Sequence, residues 1–144
     1  MHRPIPTAPL DYLGPALGAL VFVLAMSRVR EPARRQFNAV LVGGAMGVYL
    51  SGGFGLWELP FAALGSLIAY RGLGSYRAIA VAWWMHSAWD LLHHAFGNPI
   101  WPFMETSSFG CLIFDGLIGI WFFLDAPTLG AGLAARPSTS AGPV

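Results

Sequence analysis

Residues 83–99 read WWMHSAWDLLHHAFGNP and place His86, Asp90, His93 and His94 inside or at the end of an otherwise apolar stretch. No other feature restricts the fold as strongly. Ionisable groups at apolar depth are costly, so they must be paired, bound to an ion, or turned towards a shared interior. His86 and Asp90 are four residues apart, and Asp90 and His93 three. A helix therefore puts all three on one face, with His94 beside them.

The rest of the chain sharpens the question of what surrounds that face. It is 56% hydrophobic and 10% charged, with a mean hydropathy of +0.58. Soluble domains average about 25% charged residues. The composition therefore implies an all-α, small polytopic membrane helical bundle. A formal net charge of +1 offers no phosphate-binding surface, and no nucleic acid is expected as a partner. Cys111 is the sole cysteine, which excludes an intrachain disulfide or a CxxC redox site. The N-terminal MHRPIPTAPLDYLG lacks the compact pattern of a cleaved signal, so the first apolar stretch is expected to be retained.

Five apolar segments divide the sequence, near 12–27, 37–51, 55–70, 76–96 and 108–124. The second and third are short for a bilayer, and a re-entrant hairpin over 37–70 would reduce the count to four spans. Arginine positions favour five. Arg28, Arg30, Arg34, Arg35, Arg71, Arg77 and Arg136 then share one side, leaving Arg3 on the other. The positive-inside rule makes the N-terminus external and the C-terminus cytoplasmic, as in a multi-pass protein of the cell inner (cytoplasmic) membrane. Membrane lipid is the expected partner. Gly43 and Gly47 form a small-xxx-small face for close contact between helices or between the protomers of a homodimer. Residues 1–130 are read as one domain, and 131–144 as a disordered cytoplasmic tail rich in Ala, Gly, Pro and Ser.

This topology brings polar groups from distant segments into the outer half of the bundle. His86, Asp90, His93, His94 and Asp115 are the candidate metal ligands, with zinc, iron or manganese suited to imidazole and carboxylate. Glu58 is a further candidate for that site. Asp90 and Glu58 are the candidate proton-transfer groups, and Asn98 and Ser107 the candidate substrate contacts. Other readings stay open: a metal-free site that binds substrate or moves protons, and polar packing between helices. The spacing does not match HExxH, and there is no GxSxG elbow, P-loop or dinucleotide fingerprint.

The motifs WxxHxxWDxxHHxxGNPIxPF from Trp83 to Phe103, TSSxGCxIxD from Thr106 to Asp115, YLSGGFGLWE from Tyr49 to Glu58 and EPARRQFNA from Glu31 to Ala39 together resemble an uncharacterised bacterial membrane family, domain of unknown function 6010. The resemblance runs from about Asp11 to Pro127. It implies that His86, Asp90, His93, His94, Asn98, Asp115 and Glu58 carry the family pattern, and it supplies no reaction. Three functions therefore compete: a metal-dependent enzyme on a lipid or small apolar substrate, a small proton or metal transporter, and a non-catalytic structural or interaction protein.

Overall fold

A computed structural model describes residues 3–50 and 52–129. The expected tail at 131–144 lies outside the described residues. Five α-helices follow one another: α1 (Leu10–Met26), α2 (Ala33–Ala45), α3 (Glu58–Arg71), α4 (Tyr76–Phe96) and α5 (Ser107–Phe123). A short 3₁₀ turn, Gly55–Trp57, leads into α3.

α4 is the central element. It packs most broadly on α5, and its other side receives α3 and α2, while α1 lies against α5. Its ends are set by sequence. Ser75 caps the start by accepting from the Ala78 amide at 3.3 Å. Gly97, followed by Asn98-Pro99, ends it. Val42, Met46, Ile79, Ile118 and Phe122 fill the core between the helices. Glycine permits the α4–α5 approach: a Cβ at Gly119 would stand 2.4 Å from Trp84 Nε1.

Thr106 occupies the N-cap of α5 without a side-chain cap bond. Ser107 and Ser108 work instead on the preceding loop, accepting from the amides of Trp101 at 3.0 Å and Ile100 at 3.2 Å. The arginine-rich connection is also structural. Arg34 is 7% exposed. It pairs with Glu31 at 2.8 Å, donates to Tyr76 Oη at 2.8 Å, and lies over the Trp121 ring.

The helices correct the membrane reading. Among the described residues, no helix is long and apolar enough to cross a membrane. α1 and α5 have 17 residues each, α2 has 13 and α3 has 14. At about 1.5 Å per residue even the longer pair reaches only about 26 Å, against about 30 Å of hydrocarbon. α4 has 21 residues, but Arg77, His86, Asp90, His93 and His94 interrupt its apolar character. The polytopic fold, the external N-terminus with cytoplasmic C-terminus, the multi-pass inner-membrane location and the lipid partner therefore fall together. So does transport across a membrane. What stands is an all-α bundle of five helices. The expected homodimer loses its support as well, because Gly43 faces Ala69 of α3 within the same chain, where an added Cβ would lie 3.6 Å from the Ala69 Cβ. Outward-facing Leu17, Val21, Leu64, Leu67 and Ile120 remain exposed.

Candidate metal centre

α4 turns the face of His86, Asp90, His93 and His94 inwards, and all four are buried. α5 brings Asp115 to the first two. His86 Nδ1 lies 2.7 Å from Asp115 Oδ2 and 3.1 Å from Asp90 Oδ2. On the other side of the ring, His86 Nε2 lies 3.0 Å from the carbonyl oxygen of Ala45 in α2. A carbonyl can only accept, so Nε2 carries a hydrogen and Nδ1 is the atom left facing two carboxylates. The three side chains offer ligand atoms within 4.8 Å of one another, consistent with a metal site.

The electrostatics follow from that crowding. Burial alone would lower the His86 pKa, but its hydrogen bonds to Asp115 and Asp90 and their charges raise it to about 10. Asp115 also moves up. Burial is the main cause and the neighbouring Asp90 charge adds to it, against the opposing pull of His86. The site thus holds on to protons because it has more negative charge than one imidazolium can balance. Cys111, one turn before Asp115, has its thiol pushed up to about 12 by burial and by both carboxylates, so it offers no thiolate.

Tyr49 supports the cluster from the segment between α2 and α3. Its hydroxyl donates to Asp90 Oδ1 at 2.6 Å and lies 2.9 Å from Ser108 Oγ. Asp90, fully buried, therefore has one oxygen held by Tyr49 and the other beside His86. Sequence reasoning gave Tyr49 no role, although the residue begins one of the family-like motifs.

Glu58 and His93 form a separate buried group. Glu58 accepts from the Phe54 amide at 3.0 Å and from Trp89 Nε1 at 2.9 Å. His93 Nε2 is 3.0 Å from Glu58 Oε1 but off the line of a hydrogen bond. Its Nδ1 lies 3.2 Å from the Asn98 carbonyl oxygen, and its ring stacks on Tyr49 with centroids 3.6 Å apart. Burial lowers the His93 pKa despite Glu58. Gly53 seals this group. Its φ is +126°, and a Cβ there would meet His93 Cε1 at 2.4 Å, so only glycine fits. His94 turns elsewhere, its Nε2 lying 3.2 Å from the Pro4 carbonyl oxygen. Of the five residues expected to hold a metal, three thus come together. His93 and His94 lie outside that cluster, as does Glu58.

A cavity of about 660 Å³ adjoins the centre. His86, Asp115, Cys111, Ser107 and Trp83 line it, and Leu10, Trp101 and Met104 are exposed residues around it. Asn98 does not line it.

The four motifs of the sequence all converge on these two buried groups and the Arg34 lock, and residues 10–128 match the model of a family of unknown function, DUF6010. The chain belongs to that family. The match covers every described helix and the His86, Asp90 and Asp115 cluster. The membrane character expected of the family is not carried by this member's described helices, none of which can cross a bilayer. No curated protein matches the chain, and no solved structure does.

Proposed function

We propose that the chain binds one divalent cation between His86 Nδ1, Asp90 and Asp115, and that the ion acts on a molecule in the adjoining cavity. One observation carries this reading: the Nε2–H···O=C bond to Ala45 aims the other nitrogen at two carboxylates. Metal-bound histidines are held in this manner, with the outer nitrogen donating to a carbonyl or carboxylate. Charge balance supports it. Two carboxylates with an imidazolium leave one negative charge in a buried space, whereas two carboxylates, a neutral imidazole and a divalent ion leave none.

One imidazole and two carboxylates suit zinc, iron or manganese, and Cys111 is not among the clustered ligand atoms. Ligands sharing a tetrahedral ion at about 2.1 Å stand about 3.4 Å apart, so the 2.7 and 3.1 Å separations would open slightly on binding. The ion would polarise an oxygen of the bound molecule or activate a water. Asp90 serves as a ligand in this reading, since both its oxygens are already committed. Ser107, on the cavity wall, helps to position the molecule. Glu58, with His93, holds Tyr49 in place rather than transferring protons at the centre, and Asn98 acts through its carbonyl on His93.

Binding must displace the proton on His86 Nδ1 and any proton on Asp115. Affinity therefore rises with pH throughout the range below about 10, where His86 is protonated. Zinc titration of metal-stripped protein between pH 6 and 8 should show affinity increasing at least about tenfold per pH unit. Proton release above one per ion is expected in calorimetry across buffers of different ionisation enthalpy. A pH-independent affinity, or release well below one proton, would contradict the assignment of His86 as a ligand.

A further inference from the structure

Asp90 has two carboxylate oxygens, and the fold treats them differently. Oδ2 faces His86 Nδ1 at 3.1 Å, whereas Oδ1 accepts from the Tyr49 hydroxyl at 2.6 Å. Tyr49 has little freedom to turn away. It is 2% exposed, and its ring stacks on His93 with an interplanar angle of 15°. His93 is itself closely packed: a Cβ at Gly97 would stand 2.7 Å from its Nδ1. The hydroxyl end of Tyr49 is held as well. Its one hydrogen goes to Asp90, so Ser108 Oγ, 2.9 Å away, donates to it. Ser108 Oγ in turn accepts from the Ile100 amide. The hydrogens therefore run one way, from Ile100 through Ser108 and Tyr49 to Asp90 Oδ1.

We propose that Tyr49 is a positioning residue that holds Asp90 as a one-oxygen ligand, and that this sharpens the centre's preference for zinc over manganese beyond the general order of ion affinities. The inference rests on the metal reading of His86, Asp90 and Asp115 and adds the choice of ion. An ion bound by both oxygens of Asp90 would take Oδ1 from the phenol and strand a buried donor. One oxygen from each carboxylate and His86 Nδ1 make three ligand atoms. A four-coordinate zinc ion completes that set with a single outside oxygen. Manganese favours an octahedral shell of oxygens, and a chelating Asp90 would bring the site nearer to it. The phenol withholds that second oxygen.

The test titrates zinc and manganese, separately and at one pH, into metal-stripped full-length wild type, Tyr49→Phe and Ser108→Ala. Tyr49→Phe keeps the ring on His93 and removes the donor to Asp90. Its zinc affinity should fall at least about tenfold, the usual loss when the group that holds a metal ligand is removed. Its manganese affinity should stay within about twofold, so the zinc-to-manganese ratio narrows at least about fivefold. Ser108→Ala leaves the Tyr49–Asp90 bond in place and should keep the ratio within about twofold of wild type. A merely structural Tyr49 would weaken both ions alike. Equal losses for the two ions in Tyr49→Phe, or the same narrowing in Ser108→Ala, would overturn the inference. If circular dichroism shows that Tyr49→Phe does not fold, crystals of zinc-loaded wild type decide. Asp90 bound through Oδ2 alone, with Oδ1 still on Tyr49, is the expected result, and both oxygens on the ion would overturn it. The two claims fail separately: zinc bound at the centre with an unchanged ratio sinks only this inference, whereas a wild type that binds neither ion sinks the proposed function and this inference with it.

Discussion

Asp115→Asn should lower zinc affinity by at least about a hundredfold while the chain stays folded. The substitution keeps the size of the side chain and removes one of three anionic or imidazole ligands, along with half of the negative charge that holds the ion. It is also gentle on the metal-free state. The amide can donate to a neutral His86 Nδ1 in place of the contact that Asp115 makes at 2.7 Å. The carboxylate is an uncomfortable group without a cation, since burial and Asp90 hold its pKa up. Stability measured by urea unfolding in chelator should therefore change by less than about 1 kcal/mol. The pairing of lost affinity with retained stability separates a metal centre from polar packing. Polar packing alone would give no zinc affinity to lose.

His86→Ala has the opposite balance, and its effect on stability is the larger. His86 is 3% exposed and is the cationic partner of both carboxylates. Its removal leaves Asp90 and Asp115 facing one another with no compensating charge, and leaves the Ala45 carbonyl oxygen without its donor. Breaking a buried ion pair from one side costs about 3–5 kcal/mol. His86→Ala should lose that much in chelator, and it should bind no zinc. The control is the double variant His86→Ala with Asp115→Asn. Removing one of the stranded carboxylates should recover about 1–3 kcal/mol relative to His86→Ala alone. Strict additivity of the two substitutions would mean that His86 and Asp115 do not act on each other as their geometry implies.

The site was more legible in the sequence than its surroundings. The spacing of His86 and Asp90 predicts a shared helical face, and that face is buried along α4. Asp115 is an isolated carboxylate in an apolar run, which marks it for an interior partner, and α5 delivers it to His86. What spacing does not encode is direction around the helix. His93 shares the face of Asp90, yet the glycine turn at Gly52, Gly53 and Gly55 brings Glu58 and Phe54 over it and draws it into a second group. Tyr49 and the Ala45 carbonyl were invisible for another reason. One is an ordinary aromatic in an apolar segment and the other a backbone atom, and only the tertiary fold aims them at Asp90 and His86.

The membrane reading failed because composition averages over the chain, whereas spanning depends on each helix separately. The mean hydropathy is high, but Gly-rich turns and the arginine- and proline-containing connection after α1 divide the apolar residues into pieces too short to cross a bilayer, and the longest piece carries the polar face. The arginines reinforced the misreading. Arg34 is itself buried and is held by Glu31 and Tyr76, so its position reports on packing and not on a side of a membrane. The segment near 37–51 was displaced for the same reason. α2 begins at Ala33 and takes Arg34 and Arg35 into its first turn, ahead of the apolar segment expected from about 37.

The central claim is that one ion sits where three side chains meet. Anomalous diffraction from crystals of the zinc-loaded protein, collected above and below the zinc edge, tests it most directly. The account predicts a single strong peak about 2.0–2.2 Å from His86 Nδ1 and from one oxygen each of Asp90 and Asp115, with Nε2 still on the Ala45 carbonyl. No anomalous density at that position in zinc-saturated crystals, or density between Glu58 and His93 instead, would contradict it.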